Sequence, residues 1–335
     1  MTFARVFADR PVCVIIAAWR AEATIARAVT SALAEPEVGE VIVVDDASPD
    51  ATAVSAQAAC DGSGRLQVLR QPANAGPSAA RNRAIGVSRA PVIAILDADD
   101  FFLPGRIAPL VAVSGWDMIA DNIVFIPERT VEAFDPTQIA RFPVDRVPVD
   151  LATFVAGNLS HPGRPRGELG FVKPLLRREF LIRHALRYRE TMRLGEDYAL
   201  YVEMLGAGAR FLRTARCGYA AVERACSLSG AHATRDLGAL LDFDQGVLAG
   251  TLFADGAPSG VDAAMLRRHR AQIATRFRHR RFLDRKREAG LLAATFDALA
   301  DPPRLATTAL AILRDKTRRP NQGGLPPERL RYLFS

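Results

Sequence analysis

The amino-acid sequence predicts an α/β protein with a doubly wound, mostly parallel sheet and a helical C-terminal extension. Short apolar runs alternate with segments of helical periodicity over roughly the first 100 residues, as is typical of repeated βα units. Two of the apolar runs are followed at once by aspartates, and in such sheets ligands bind beyond the carboxyl ends of the strands. Beyond about residue 235 the strand pattern stops and helical stretches follow.

Four strands are predicted in the first part of the chain. Each is a short, mostly apolar run rich in β-branched residues, as expected for strands buried on both faces of a sheet. They are Val12–Ala18, Glu40–Val44, Leu66–Arg70 and Val92–Leu96.

Three helices are predicted to connect these strands. They cover Glu22–Leu33, Ala51–Cys60 and Ser78–Ser88. We expect Ser78 to be the N-cap of the third helix, because a serine hydroxyl can accept a hydrogen bond from the first free backbone N–H groups.

Three carboxylates lie within four residues at the end of the fourth predicted strand, in the stretch Ile95–Asp100. Asp97, Asp99 and Asp100 repel one another there, and a divalent cation would relieve that repulsion. Mg²⁺ and Mn²⁺ prefer carboxylate oxygens, and Mg²⁺ is usually held by one or two carboxylates together with substrate phosphates. The stretch therefore indicates either a cation site or an acidic turn that caps the next segment.

Three further positions allow both a chemical and a purely structural interpretation. Asp46, after the second strand, can accept a hydrogen bond from a nucleobase or can end the strand in an Asx turn. Arg81, early in the third helix, can bind phosphate or can be solvated on the helix surface. Asp197 can act as a general base or can interact with the dipole at a helix N-terminus.

The chain has 335 residues and a net charge of +7, and ten Arg and Lys residues lie between Arg267 and Arg287. Such charge suits a nucleic acid, an anionic membrane face or a phosphorylated ligand. No run approaches the roughly 20 apolar residues that cross a bilayer, and the N-terminus lacks a signal-peptide pattern. We therefore expect a cytoplasmic protein, whose basic stretch either docks on the anionic inner membrane or is solvated and paired with the chain's own acids.

Taken in their order, five stretches resemble the inverting glycosyltransferases of family 2, which have the GT-A fold. They are VIIAAWRAEATIARAVTSAL, EVIVVDDASPDAT, NAGPSAARNRAIG, IAILDADDFFLPGRI and LGEDYALY, covering most of residues 12–107 and a patch at 193–201. The stretch GELGFVKPLLRREFL resembles more narrowly the transferases of bacterial exopolysaccharide assembly that are related to the succinoglycan ExoO protein.

The resemblance implies a division of the chain into a catalytic domain and an extension. Residues 1–230 would form the GT-A domain, with a nucleotide-binding half at about 1–105 and an acceptor-binding half at about 106–230. Residues 231–335 would form a helical, basic C-terminal region. The loop at Ser160–Gly170, rich in Gly, Pro and Arg, is a candidate mobile flap.

The resemblance also implies a role for each site residue. Those implied to bind the nucleotide sugar are Ala17, Trp19, Glu22, Asp46, Arg81, Asp97 and Asp99. Among them, Trp19 would stack on uracil and Asp46 would accept the uracil N3 hydrogen. Asp99 and Asp100 would hold a Mn²⁺ or Mg²⁺ ion, and Asp197 would be the catalytic base. The implied reaction moves a single hexose from a UDP-sugar to a saccharide acceptor, which can be an undecaprenyl-diphosphate-linked intermediate of polysaccharide assembly.

The chain departs from the family pattern at two places. Trp19-Arg20 stands where Tyr-Asn is usual, and Ala47 stands where Gly is usual, but neither change removes a carboxylate. The chain also lacks the QxxRW sequence and the membrane spans of processive synthases.

Two alternatives stay open at this point. A sugar nucleotidyltransferase shares the sheet and the metal, but usually has a Gly-rich phosphate loop where this chain has Ala17-Ala18-Trp19-Arg20. A non-catalytic basic binding protein is the other alternative. Acidic clusters at strand ends would repel the phosphates of a nucleic acid, so we expect no nucleic-acid partner.

Overall fold

The computed structural model describes residues 10–160, 169–224, 233–299 and 330–334. Within these ranges the chain forms two compact units. The first is an α/β unit of residues 10–158, 169–224 and 330–334, and the second takes in residues 159–160 and the helices of 233–299. Most of the candidate flap at Ser160–Gly170 lies outside the described residues.

Four strands form the parallel half of one large sheet. They are β1 (Val12–Ala18), β2 (Val38–Asp45), β3 (Leu66–Arg70) and β4 (Val92–Ile95). β1 pairs in parallel with β2 and with β4, and β2 pairs in parallel with β3, so the carboxyl ends of these strands meet at one edge. The predicted strands are confirmed to within two residues at each end, and the predicted fold class is confirmed with them.

Three helices connect the parallel strands: α1 (Ile25–Leu33), α2 (Thr52–Ala58) and α3 (Pro77–Val87). α1 buries five side chains at helical spacing, and these pack with alternate side chains of β1 to form the main hydrophobic core. The prediction that Ser78 caps α3 is wrong. Gly76 is the N-cap, with φ of 91°, and Pro77 occupies the first helical turn, where its missing N–H costs nothing.

The remainder of the α/β unit adds both strands and helices. The strands are β5 (Phe101–Phe102), β6 (Met118–Pro127), β7 (Val147–Val149), β8 (Leu175–Arg177), β9 (Phe211–Glu223) and β10 (Arg331–Tyr332). The helices are α4 (Ile107–Val111), α5 (Leu151–Ala156), α6 (Arg178–Arg183) and α7 (Glu196–Gly206).

Among the described residues the strand order is β3-β2-β1-β4-β8-β6-β9-β5, with β10 beside β6 and β7 beside β9. β8 is antiparallel to both β4 and β6, whereas β9 is parallel to β6. Because β8 lies next to β4 with Leu175 opposite Ala94, the residues just before β8 lie beside the carboxyl end of β4. This register brings a later segment of the chain to the edge where the acidic stretch lies.

The second unit consists of α8 (Thr234–Leu248) and α9 (Gly260–Leu299). α8 buries Leu237, Leu240, Phe243 and Val247 along one face. α9 is interrupted at Gly290, whose φ of 86° and ψ of 170° are not helical. Across the described ranges, none of the helices combines the length and the apolar character that a membrane span requires.

Candidate functional site

The candidate site lies at the carboxyl edge of the parallel strands. β4 ends at Ile95, and Asp97 follows two residues later. Lys173 precedes β8 by two residues, and the antiparallel register of β8 and β4 places it beside the end of β4. α7 begins at Glu196, so Asp197 lies in its first turn. Three segments far apart in sequence therefore converge here.

Lys173 is at the centre of these segments. Its Nζ lies 2.8 Å from Oδ2 of Asp97 and 2.8 Å from Oδ2 of Asp197. The lysine is only 8% exposed, so both contacts are charge-assisted hydrogen bonds in a largely desolvated setting. A single ammonium thus joins the acidic stretch after β4 to the start of α7.

Arg81 of α3 makes a second set of contacts to the same acids. Its Nη2 lies 2.9 Å from Oδ1 of Asp97, and its Nη1 lies 2.8 Å from Oε1 of Glu196. The same Nη1 is 3.5 Å from Oδ1 of Asp197. Arg81 is buried, its ion pairs are with carboxylates, and its guanidinium lies 5.2 Å from the centroid of the Tyr188 ring. Its predicted contact with the nucleotide stays a prediction.

The charges of this cluster shift one another's pKa values. Burial on its own would raise the pKa of Asp97, but the charges of Lys173 and Arg81 lower it to about 2. Burial would lower the pKa of Lys173, but the charges of Asp197 and Asp97 raise it above its ordinary value. Burial and the charge of Asp197 raise the pKa of Glu196. Asp97 and Lys173 therefore both stay charged at neutral pH.

The two carboxylate oxygens of Asp197 have different surroundings. Oδ2 accepts the hydrogen bond from Lys173, whereas Oδ1 is buried and accepts none from the described residues. The hydroxyl of Tyr188 is also buried, and it lies near Asp197, to which it is placed to donate a hydrogen bond. Burial, together with the charge of Asp197, raises the pKa of Tyr188, so this hydroxyl stays protonated. Oδ1 of Asp197 also lies 3.5 Å from Nη1 of Arg81, so its negative charge is partly offset although it accepts no hydrogen bond from the guanidinium.

Asp99 and Asp100 differ in what they contact. Asp100 is 7% exposed, and its two oxygens accept hydrogen bonds from the Tyr219 hydroxyl at 2.7 Å and the Val222 backbone N–H at 2.9 Å. The Asp99 side chain is 41% exposed, and Nη1 of Arg224 lies 3.9 Å from its carboxylate. Asp99 is therefore the more accessible of the two.

The electrostatics of this acidic stretch suit a divalent cation. Burial raises the pKa of Asp100 well above its ordinary range, and the charges of Asp99 and Asp97 add to the effect. Burial and the charge of Asp97 also raise the pKa of Asp99. Within the described ranges, no three His, Cys, Asp or Glu side chains are arranged to hold an ion by themselves. Asp99 and Asp100 therefore fit a hard cation as a partial ligand set, which the oxygens of a bound diphosphate would complete.

Asp46 organises the loop that leads into α3. Its Oδ1 accepts hydrogen bonds from Gln71 Nε2 at 2.6 Å and the Ala75 N–H at 2.8 Å, and its Oδ2 accepts one from the Gly76 N–H at 2.8 Å. The residue is 3% exposed. A uracil N–H would be a fourth donor to this carboxylate, and that contact stays a prediction.

The other residues predicted to bind the nucleotide lie at the end of β1 and just beyond it. Ala17 is half-buried, and the Trp19 side chain is 43% exposed. The Arg20 guanidinium lies over the Trp19 ring, 4.7 Å from its centroid. Glu22 is exposed and accepts a hydrogen bond from the Ala51 N–H at 3.3 Å. The ring of Trp19 is thus accessible for stacking, with one face covered by Arg20.

Two of the departures from the family pattern lie at strained backbone positions. Arg20 and Ala47 adopt φ values of 51° and 55°, in the left-handed region that favours Gly and Asn. The usual residues there are Asn and Gly, which adopt this conformation at lower cost. The backbone conformation therefore explains why Asn and Gly are usual at these two positions. In this chain the Arg20 N–H donates a hydrogen bond to the Ser48 hydroxyl at 3.0 Å.

Sequence reasoning missed Lys173, Tyr188 and Tyr219. Lys173 is one of only three lysines in the chain and interrupts an otherwise apolar stretch, FVKPLL, which was the available signal. Tyr219 carries no comparable signal, because it lies in the mostly apolar stretch CGYAAV, where an aromatic residue is usually a core residue. Tyr188 lies between two arginines, in RYR, and carries no motif that points to a site.

The chain is similar to known proteins over nearly its whole length. The sequence profile described as Glycosyl transferase family 2 matches residues 13–160. The succinoglycan biosynthesis protein ExoU of Rhizobium meliloti is 50% identical over 95% of this chain and 92% of that protein. The succinoglycan biosynthesis protein ExoO of the same organism is 31% identical over 86% of this chain and 81% of that protein.

A solved structure has a similar fold. The crystal structure of residues 1–349 of Staphylococcus aureus TarS in complex with UDP-GlcNAc superposes with a TM-score of 0.57 and 18% sequence identity. The match covers 81% of this chain and 72% of that one. At this identity the likeness establishes the shared fold.

Proposed function

Because the chain belongs to glycosyl transferase family 2, we propose that it moves a single hexose from a UDP-sugar to a hydroxyl of a saccharide acceptor, with inversion. The names of ExoU and ExoO support succinoglycan or another cell-surface exopolysaccharide as the product. The UDP-GlcNAc complex of TarS supports a UDP-sugar as the donor class.

The observation that carries the proposal is the pair of contacts made by Lys173. They hold Asp97, beside the expected diphosphate position, and Asp197, the expected base, on one ammonium. Lys173 occupies Oδ2 of Asp197 and leaves Oδ1 without a hydrogen-bond partner among the described residues. Lys173 thus fixes the orientation of the carboxylate, and Oδ1, a buried oxygen, is the one that we assign to the substrate hydroxyl.

In the proposed reaction, Asp197 accepts the proton of the acceptor hydroxyl as the hydroxyl oxygen attacks the anomeric carbon. The bond from that carbon to the diphosphate breaks on the opposite face, and UDP leaves with the bonding electron pair. This single displacement converts an α-linked donor into a β-linked product. Positioned general-base catalysis of this kind contributes about 10²–10⁴-fold to the rate.

Asp99 and Asp100 would hold a Mn²⁺ or Mg²⁺ ion, which when bound offsets the charge that develops on the leaving diphosphate. Tyr219 and the Val222 N–H orient the carboxylate of Asp100. Arg224 lies close enough to Asp99 to offset part of its charge.

We further propose that the acceptor is carried on undecaprenyl diphosphate at the cytoplasmic face of the inner membrane. The support is the strongly basic stretch at Arg267–Arg287, because such residues favour an anionic membrane surface, where a lipid-linked acceptor would lie. Contact with the membrane would then be peripheral.

The test is a panel of nucleotide sugars with Mn²⁺, read by donor hydrolysis and thermal shift, with UDP-glucose first. We expect hydrolysis of at least one UDP-sugar, abolished by EDTA and by Asp197→Asn. Formation of a nucleotide sugar from a nucleoside triphosphate and a sugar 1-phosphate, without hydrolysis or transfer from any UDP-sugar, would identify a nucleotidyltransferase instead. An α-linked product in proton NMR would overturn the inverting assignment.

A further inference from the structure

The second unit ends in an exposed apolar segment that follows a basic one. After the interruption at Gly290, the side chains of Leu291, Leu292 and Phe296 are 57%, 88% and 77% exposed. Soluble proteins expose single apolar side chains routinely, but three large ones within six residues form a patch that marks an interaction site.

These side chains lie on one side of the final helical segment. At 100° per residue, Leu291, Leu292, Thr295 and Phe296 span an arc of about 140° of the helix, whereas Ala294 lies outside that arc and is buried. The Thr295 hydroxyl donates a hydrogen bond to the Leu291 carbonyl at 2.8 Å, so this polar group can leave water without losing its partner. We call these four residues the 291–296 face.

Positive charge dominates the segment just before Gly290. Seven Arg and Lys residues but only two acids lie between Arg276 and Glu288. Arg285 is paired with Asp297 at 2.7 Å. Arg281, Lys286 and Arg287 are exposed and form no ion pair with any acid in the described part of the chain. At 100° per residue these three residues, the basic flank, point in different directions around α9, so they place exposed positive charge on several sides of the helix just before Gly290.

We propose that the 291–296 face and the basic flank together form a docking site for an anionic lipid surface. Apolar side chains at the boundary between headgroups and acyl chains, with Lys and Arg at the headgroup level, are the arrangement of interfacial helices. A nucleic acid would use the charge but leave the leucines and the phenylalanine exposed to water. Gly290 permits the break between the two parts, because its φ of 86° is unfavourable for a residue with a side chain.

The proposal deepens the peripheral location proposed above, and its test needs no sugar donor. The full chain is sedimented with vesicles of equal parts phosphatidylethanolamine and phosphatidylglycerol, and with vesicles of phosphatidylcholine. We expect binding to the anionic vesicles only. Arg281→Gln/Lys286→Gln/Arg287→Gln should weaken binding at low salt. Leu292→Ser/Phe296→Ser should weaken it by about tenfold or more, because both side chains lose their apolar transfer free energy.

The matched control is Val144→Ser, which removes an 85% exposed apolar side chain from the α/β unit and should bind as the wild type does. Circular dichroism of each variant checks that the helices are retained. The proposal is overturned if the wild type ignores anionic vesicles or if Leu292→Ser/Phe296→Ser binds them normally. It is also overturned if the wild type self-associates without lipid and this double variant is monomeric, because a second copy would then be the occupant. Failure of the vesicle test leaves the transferase assignment intact, since donor hydrolysis is measured separately.

Discussion

The Lys173 ammonium donates a 2.8 Å hydrogen bond to Asp197 across 24 residues of sequence. The same nitrogen lies 2.8 Å from Asp97, so the contact links the end of β4 to the first turn of α7. Without it, Arg81 would be the remaining cation beside these carboxylates among the described residues, 2.9 Å from Asp97 and 3.5 Å from Asp197. We expect the stability of the α/β unit and the orientation of the proposed base to depend on Lys173 in particular, because it donates a hydrogen bond to Asp197.

Lys173→Met should lower the free energy of unfolding by about 3 kcal/mol, because breaking a buried ion pair leaves uncompensated charge. Urea unfolding measures this. Arg210→Met is the control: Arg210 is 64% exposed and pairs with Asp117 at 3.0 Å, so its loss should change stability by less than about 1 kcal/mol. Equal effects of the two substitutions would contradict the central role of Lys173.

Asp197→Asn should lower the rate of sugar transfer by about 10²–10⁴-fold, because the amide cannot accept the proton of the acceptor hydroxyl. Binding of UDP should change little, since the proposed base does not contact the nucleotide. Single-turnover kinetics and calorimetry separate the two quantities, with Asp117→Asn as a control outside the site. Wild-type turnover by Asp197→Asn would refute the assignment of the base.

Asp100→Asn should weaken UDP binding in the presence of Mn²⁺ by about 10–100-fold. Removing a residue that only supports a metal ligand lowers metal affinity by about this factor, and removing a ligand should cost at least as much. The substitution keeps the size of the side chain, so the effect reports the lost charge. Calorimetry in EDTA is the control, because there the variant and the wild type should bind UDP alike. An unchanged affinity with Mn²⁺ would remove Asp100 from the cation site.

The βα pattern of the first half was predictable because its determinants are local. The apolar runs at Val12–Ala18 and Leu66–Arg70 predicted strands with the observed bounds, since period and burial follow directly from residue type. Local rules failed at the start of α3, where Ser78 was predicted to be the N-cap but Gly76 takes that position. The Ser78 hydroxyl instead donates a hydrogen bond to the Met192 carbonyl at 3.3 Å, a contact between distant segments.

The acidic residues of the candidate site were predictable from the sequence, but the lysine that contacts two of them was not. Asp97 and Asp197 were identified from motifs, whereas Lys173 requires knowing that β8 lies antiparallel to β4 with Leu175 opposite Ala94. Nothing in the sequence near Lys173 specifies that pairing. Strand order and register depend on contacts between distant parts of the chain. Short sequence motifs therefore do not predict which residues pair with a buried charge.

Acid should remove the stability that Asp97 contributes. Burial opposes its ionisation, but Lys173 and Arg81 lower its pKa to about 2, below the ordinary value of about 3.9. As pH falls, Asp97 is therefore protonated in the unfolded chain before it is protonated in the folded one. The stability that its charge contributes is fully present above about pH 4 and is lost towards about pH 2. Urea unfolding between about pH 5 and pH 3 in EDTA should show a smaller loss for Asp97→Asn than for the wild type. If the free energies of unfolding of Asp97→Asn and the wild type changed equally with pH, the lowered pKa assigned to Asp97 would be contradicted.

A methyl group at Gly218 should disturb the site through a buried ion pair. A Cβ there would lie 2.3 Å from Oδ2 of Asp121 and 2.6 Å from Cγ of Arg106, closer than real contacts allow. Arg106 is 1% exposed, pairs with Asp121 at 2.8 Å, and donates a hydrogen bond to the Lys173 carbonyl at 2.5 Å. Displacing Arg106 would therefore shift the backbone that carries Lys173.

Gly218→Ala should thus lower the free energy of unfolding by about 1–3 kcal/mol, as overpacking does, and should lower the transfer rate as well. Gly86→Ala is the matched control, because Gly86 lies in α3 and a Cβ there meets no atom within 4 Å. Its replacement should stabilise the protein by about 0.5–1 kcal/mol, since alanine is the better helix former. If Gly218→Ala kept both wild-type stability and wild-type rate, the pair of Arg106 and Asp121 would not be what fixes Lys173 in place.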